Sequence, residues 1–238
     1  MRVIVAIVSF ALLMCVAATG ARSATYSVSV RIHSALPSLS ADEVNAILEN
    51  ASKVLQKPNL HTETDGDVKC DVTFKLKGSI GSFGEPANAI VTEQNIDGVM
   101  NSDLDDADFH IKVVKHIAYC RPGVDTASAG CSFSPPRYRS IVVVHPHMHP
   151  EGTDYPDHLL WAHEFGHLTG LGHREGSKEP GSPNDKDALM TRCDLKTQFP
   201  SNASRSKAQV SRNECRSLLA GPGHRSPGPF KLQADDCR

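Results

Sequence analysis

The stretch HLLWAHEFGHLTGLGHR, residues 158–174, carries four histidines in seventeen positions, with a glutamate directly after the second and a glycine between the third and fourth. Asp154, Pro156 and Asp157 supply polar and proline start signals for a helix, and Gly170 is placed to stop it. Between them Trp161, Phe165 and Leu168 recur at i, i+4 and i+7, an apolar stripe suited to a core. His163 and His167 stand four apart, so they project from one side of the helix, one turn apart, where two imidazoles can share an ion. Glu164 lies one step round the helix, near such an ion without being obliged to ligate it. Gly170 lets the chain leave the helix in a left-handed conformation, and the turn GLGH can return His173 to the same point.

Three neutral imidazoles suit zinc and leave a fourth position for water, the pattern of a catalytic rather than a structural site. Zinc lowers the pKa of water to about 7 and polarises a carbonyl, while a glutamate can take the water's proton and pass it to a leaving amine. The alternative is coincidence, with histidines on polar helix positions and no metal. The five fixed positions of HExxHxxGxxH have a chance expectation on the order of one in ten thousand in a chain of this length, which disfavours coincidence.

The rest of the chain fits an exported globular protein. It has 238 residues, 39 % hydrophobic and 22 % charged, which excludes disordered and collagen-like classes. Residues 1–23 contain one early basic residue, an apolar run from Val3 to Ala18 and then small residues, the order of a secretory signal peptide. The run is short for a bilayer span and lacks a basic stop-transfer cluster, so no membrane association is expected. Its removal takes Arg2 and Arg22 and leaves 23 basic against 27 acidic residues, a net charge of −4 that argues against a nucleic-acid partner. Six cysteines remain, Cys70, Cys120, Cys131, Cys193, Cys215 and Cys237, and none shows the CxxC spacing of a zinc site. Three disulfides are expected, with Cys120 and Cys131 the best candidate pair because CRPGVDTASAGC reads as a loop between two strands. The first strand pattern follows the leader at once, so activity without removal of a folded prodomain is expected.

Tyr26, Val28, Val30 and Ile32 alternate as in a strand. Ser40 and Glu43 stand in capping-box spacing before a helical stripe of Val44, Ile47, Leu48, Ala51, Val54 and Leu55. CDVTFKL, from Cys70, alternates again, as do Phe109, Ile111 and Val113, and RSIVVVHP is a compact β-branched run. Between Gly78 and Ala107 the signals weaken, and IDGVM reads as a short strand or turn. The acidic run Asp103 to Asp108 lacks the glycine and terminal glutamate of an EF-hand and reads as a solvated loop. His145, His147 and His149 could converge on a second metal from an extended segment, but the flanking prolines favour a solvated loop. Ser211 and Glu214 repeat the capping-box spacing before a C-terminal helix.

HEFGHLTGLGH resembles the zinc signature of the metzincin clan of endopeptidases at every defining position, and AHEFGHLTGLGH is most similar to the matrixins within it. The resemblance implies His163, His167 and His173 as zinc ligands, Glu164 as general base, and Met190, in DALMTRC, in a tight turn beneath the metal. It covers about Leu159 to Cys193; the link Arg174 to Ala188 is longer than in matrixins. The implied fold is α+β, with a mixed β-sheet and two long helices in an upper lobe and a smaller, loop-rich lower lobe ending in a helix. Residues 24–173 would form the N-terminal catalytic part and 174–238 the part carrying the methionine turn and last helix. The expected protein is a monomeric, secreted (extracellular or periplasmic) zinc endopeptidase acting on proteins or peptides, with an extended peptide along an edge strand of the cleft. A non-catalytic secreted module that keeps zinc as a scaffold is the alternative, and retention of Glu164 argues for the enzyme.

Overall fold

A computed structural model describes residues 23–56, 70–120, 128–134, 138–148, 156–173, 189–190, 210, 212–223 and 231–235. The first strand is β1 (Ser23–His33), and helix α1 (Ala41–Gln56) follows it. The capping box forms as the spacing predicts: the Glu43 amide donates to Ser40 Oγ at 3.2 Å, and the Ser40 amide donates to Glu43 Oε2 at 2.7 Å. Val44, Leu48, Ala51, Val54 and Leu55 of the predicted stripe are buried, and Ile47 is half-buried against them.

The chain continues through β2 (Asp71–Leu76), β3 (Gly81–Phe83), β4 (Ile90–Val91), α2 (Ile96–Asn101), β5 (Phe109–Val114) and β6 (His116–Ile117). Then come β7 (Gly130–Ser134), β8 (Ser140–Val144), a single 3₁₀ turn (Pro146–Met148), α3 (Asp157–Leu168), α4 (Arg212–Ala220) and β9 (Lys231–Asp235). The main sheet runs β2-β1-β5-β8-β7-β9, with β3 pairing the far end of β1. β2, β1, β5 and β8 are parallel neighbours; β7 is antiparallel to β8 and to β9. The sheet is therefore mixed, as the resemblance implies.

Both faces of the sheet are covered, which explains why β5 and β8 are buried at every position instead of alternating. On one face α1 and α3 pack over Val28, Val30, Phe74, Phe109 and Ile141. On the other, Val99 and Met100 of α2 pack with Val91, Ile117, Val142 and Val144. IDGVM is thus a helical turn and not a strand, a correction to the sequence reading. Its glycine hid the helical tendency, while burial of Ile96, Val99 and Met100 on one side supplies the stabilisation.

The acidic run is a loop exposed from Asp103 to Asp106, as the sequence reading has it, and side-chain bonds hold it in place. Asp108 Oδ2 accepts hydrogen bonds from the Ser27 amide and hydroxyl, and Asp105 Oδ2 accepts one from Ser29 Oγ, so the loop is fastened to β1. Against the cost of its partial burial, the Ala107 amide, the Ser29 hydroxyl and the His110 ring hold the Asp105 carboxyl down at about 2.

Two disulfides join described residues, Cys70–Cys215 and the predicted Cys120–Cys131. Cys193 and Cys237, residues 1–22 of the expected signal peptide and the link 174–188 lie outside the described residues. No described helix is long and apolar enough to cross a membrane. The two bridges span 145 and 11 residues. In the chain-entropy picture their removal costs roughly 5 and roughly 3 kcal/mol respectively. Urea unfolding of C70A/C215A should therefore show a larger loss than C120A/C131A.

Candidate metal centre

Helix α3 carries the first three functional side chains. Its N-cap is Pro156, and every residue from Leu159 to Leu168 is buried, so the predicted apolar stripe is one face of a helix enclosed all round. Phe165 packs between rings from three adjacent strands, with centroids 4.8 Å from Phe74, 5.0 Å from Phe109 and 5.1 Å from Tyr26. Successive residues are about 100° apart round a helix. With Phe165 on the sheet, His163 and His167 both fall on the opposite side, while Glu164 and Gly166 point sideways in opposite directions.

The helix ends in a Schellman turn. The Leu171 amide donates to the Gly166 carbonyl at 3.1 Å and the Gly170 amide to the His167 carbonyl at 2.9 Å. Gly170 has φ 87°, the left-handed conformation that this turn requires. The turn aims the Leu171 carbonyl back at the helix, where it accepts from His167 Nδ1 at 2.7 Å. It also delivers His173 to the two helix histidines. The Nε2 atoms of His163, His167 and His173 lie 3.0, 3.1 and 3.2 Å from one another.

Proton positions follow from these partners. A carbonyl oxygen only accepts, so Nδ1 of His167 must carry its proton, and so must Nδ1 of His163, which faces the Leu189 carbonyl at 2.6 Å. Burial holds the His167 imidazole down at about 4, so it is neutral at pH 7. Where both rings are neutral, the two Nε2 atoms present lone pairs to each other across 3.0 Å, a repulsive contact. A cation between them and His173 turns this repulsion into coordination. Tetrahedral zinc with Zn–N of about 2.0–2.1 Å spaces its nitrogens about 3.3 Å apart, close to the separations found here. The three residues fit the metal that the sequence predicts.

Glu164 projects towards β7 and is fully buried. Its Oε2 accepts from Ser132 Oγ at 2.6 Å. A Cβ at Gly130 would lie 2.8 Å from both Cγ and Cδ of Glu164, so the carboxylate occupies space that only glycine leaves. On the other side of α3, Met190 is fully buried and its Sδ rests where a Cβ on Gly166 would be. The same short turn thus provides both the Leu189 carbonyl that fixes His163 and the sulfur that packs beneath the helix.

The HPHMHP histidines do not converge with this centre. His145 is buried, with Nε2 donating to the Pro37 carbonyl at 3.0 Å, whereas His147 is exposed beside Glu43 at 3.3 Å. His145 is therefore no part of a solvated loop, and His149 lies outside the described residues. Gly130, Ser132 and the carbonyls of Leu171 and Leu189 were not found from the sequence. A glycine and a serine in a short strand carry no motif, and a carbonyl has no sequence signal at all.

No protein-family profile matches the sequence, and no curated protein matches it. Among solved structures, the chain is similar to an archaemetzincin from Methanopyrus kandleri, with 15 % identity over 86 % of this chain and 98 % of that one and a TM-score of 0.46. It is also similar to metalloproteinase-II from Bacteroides fragilis, with 15 % identity over 85 % of this chain and 54 % of that one and a TM-score of 0.43.

The His167 environment sets a pH dependence. The unfolded chain takes up its proton near 6.5 and the folded, metal-free protein only near 4, so the unfolded state binds more protons between these values. The contribution is fully present above pH 6.5 and is lost as pH falls towards 4. The urea midpoint of the protein in chelator should drop over that interval, and less so in His167→Gln. Separately, Gly130→Ala should cost about 1–3 kcal/mol through overpacking against Glu164, read as a lower melting temperature.

Proposed function

We propose that the chain is a zinc-dependent endopeptidase of metzincin type, matrixin-like around its motif, secreted in its mature form and acting on protein or peptide substrates. The observation that carries this reading is the set of three Nε2 atoms within 3.2 Å of one another, two of them with their ring protons committed to backbone carbonyls. His163, His167 and His173 would hold the ion, and Met190 would support the helix beneath it. Zinc, when bound there, supplies Lewis acidity, which lowers the pKa of a water to about 7 and polarises a peptide carbonyl.

The remaining chemistry belongs to Glu164. It lies on the same helix turn as the histidines but points sideways towards β7, about 100° round the helix from them, which suits proton transfer and not coordination. Ser132 holds Oε2 and the bare backbone at Gly130 leaves room for Oε1, which fixes the carboxylate in one orientation. So fixed, it accepts a proton from water and returns it to the leaving amine.

The test separates metal binding from catalysis. Purified protein should retain about one zinc per chain after dialysis. His163→Ala and His167→Ala should lose both metal and activity. Glu164→Gln should keep its zinc while cleavage of an unbiased peptide library falls by roughly two to four orders of magnitude. If wild type and Glu164→Gln both hold zinc and neither cleaves any peptide, with or without residues 231–238, the zinc is a scaffold and the non-catalytic reading takes its place.

A further inference from the structure

β7 is the strand that borders Glu164, through Gly130 and Ser132. An extended peptide reaching that carboxylate would pair with the outer edge of β7, because a strand edge offers a row of amides and carbonyls to any extended segment. That edge is taken. β9 pairs with it antiparallel along its whole length, from Gly130 opposite Asp235 to Ser134 opposite Lys231. Ser132, whose hydroxyl holds Glu164, stands opposite Gln233.

The opposite edge of the sheet does not offer the same opening. On the free side of β2 the Val72 carbonyl accepts from Gln56 Nε2 at 3.1 Å, and the Phe74 amide donates to Ser52 Oγ at 2.9 Å. Side chains of α1 thus occupy the centre of that edge. The outer edge of β7 is where this sheet takes an added strand, and the chain's own C-terminal segment provides it.

We propose that the outer edge of β7 is a strand-docking site for which β9 and an extended peptide compete, so that the C-terminal segment of the chain restrains its own active site. This inference rests on the endopeptidase reading and adds a regulatory element to it. Because β9 is joined to α4 through the same chain, its local concentration at the edge is on the order of millimolar, and a peptide must displace it to bind. Competition of this kind raises KM and leaves kcat alone, since the displaced state has the same Glu164 and the same histidines.

Two variants of the full-length protein test it. One ends at Phe230; the other is Gln233→Pro, which removes the backbone N–H that faces Ser132 on β7 and keeps Cys237. With the edge free about one tenth of the time in wild type, both variants should lower KM for extended peptides by about tenfold, with kcat and zinc content unchanged. The synthetic peptide FKLQADD, residues 230–236, should bind the shortened chain in calorimetry and compete with substrate. Unchanged KM in both variants together with no binding of this peptide would overturn the proposal. Should neither form of the enzyme cleave any peptide, the endopeptidase reading fails by itself, and calorimetry still decides the docking site: binding supports it and no binding overturns it.

Discussion

The site depends on how one helix is rotated, and Phe165 sets that rotation. Its ring fills a recess made by Tyr26, Phe74 and Phe109, which come from β1, β2 and β5, three neighbouring strands. A buried aromatic ring in contact with three others contributes through area and through ring geometry, so turning the helix away from this position forfeits both. Once Phe165 is seated, His163 and His167 must face away from the sheet, Glu164 must face β7 and Gly166 must face Met190. A residue outside the histidine cluster thus determines where His163, Glu164 and His167 point.

Backbone carbonyls complete what the rotation begins. Leu171 and Leu189 each place an oxygen at a histidine Nδ1, which selects the tautomer with a bare Nε2. The first carbonyl comes from the Schellman turn that Gly170 allows, the second from the residue before Met190. Burial of His167 then keeps its ring uncharged over the neutral range. Electrostatic preparation for a cation is therefore distributed over a helix end, a glycine turn and a distant loop.

Much of this was legible in the sequence wherever a local rule operates. The HExxHxxGxxH spacing brought three histidines together, the Ser40–Glu43 capping box started α1, and alternation located β1 and β2. The loop reading of CRPGVDTASAGC anticipated the Cys120–Cys131 bridge. What escaped depends on tertiary context. α2 is six residues long with a central glycine and is helical because the second core covers it. Gly130 and Ser132 matter only because a side chain from a distant helix arrives there, and β9 is a strand only because β7 has an unfilled edge for KLQAD to join.

The engagement of β2 by Ser52 and Gln56 has a consequence for how the protein meets other copies of itself. A sheet with two open edges can be extended from both sides and propagate into a fibre. Here one margin is closed at its centre by α1, so a strand from another copy can be added at the opposite margin alone. Edge-to-edge pairing of two copies would use that margin of each and leave no open edge from which a fibre could grow.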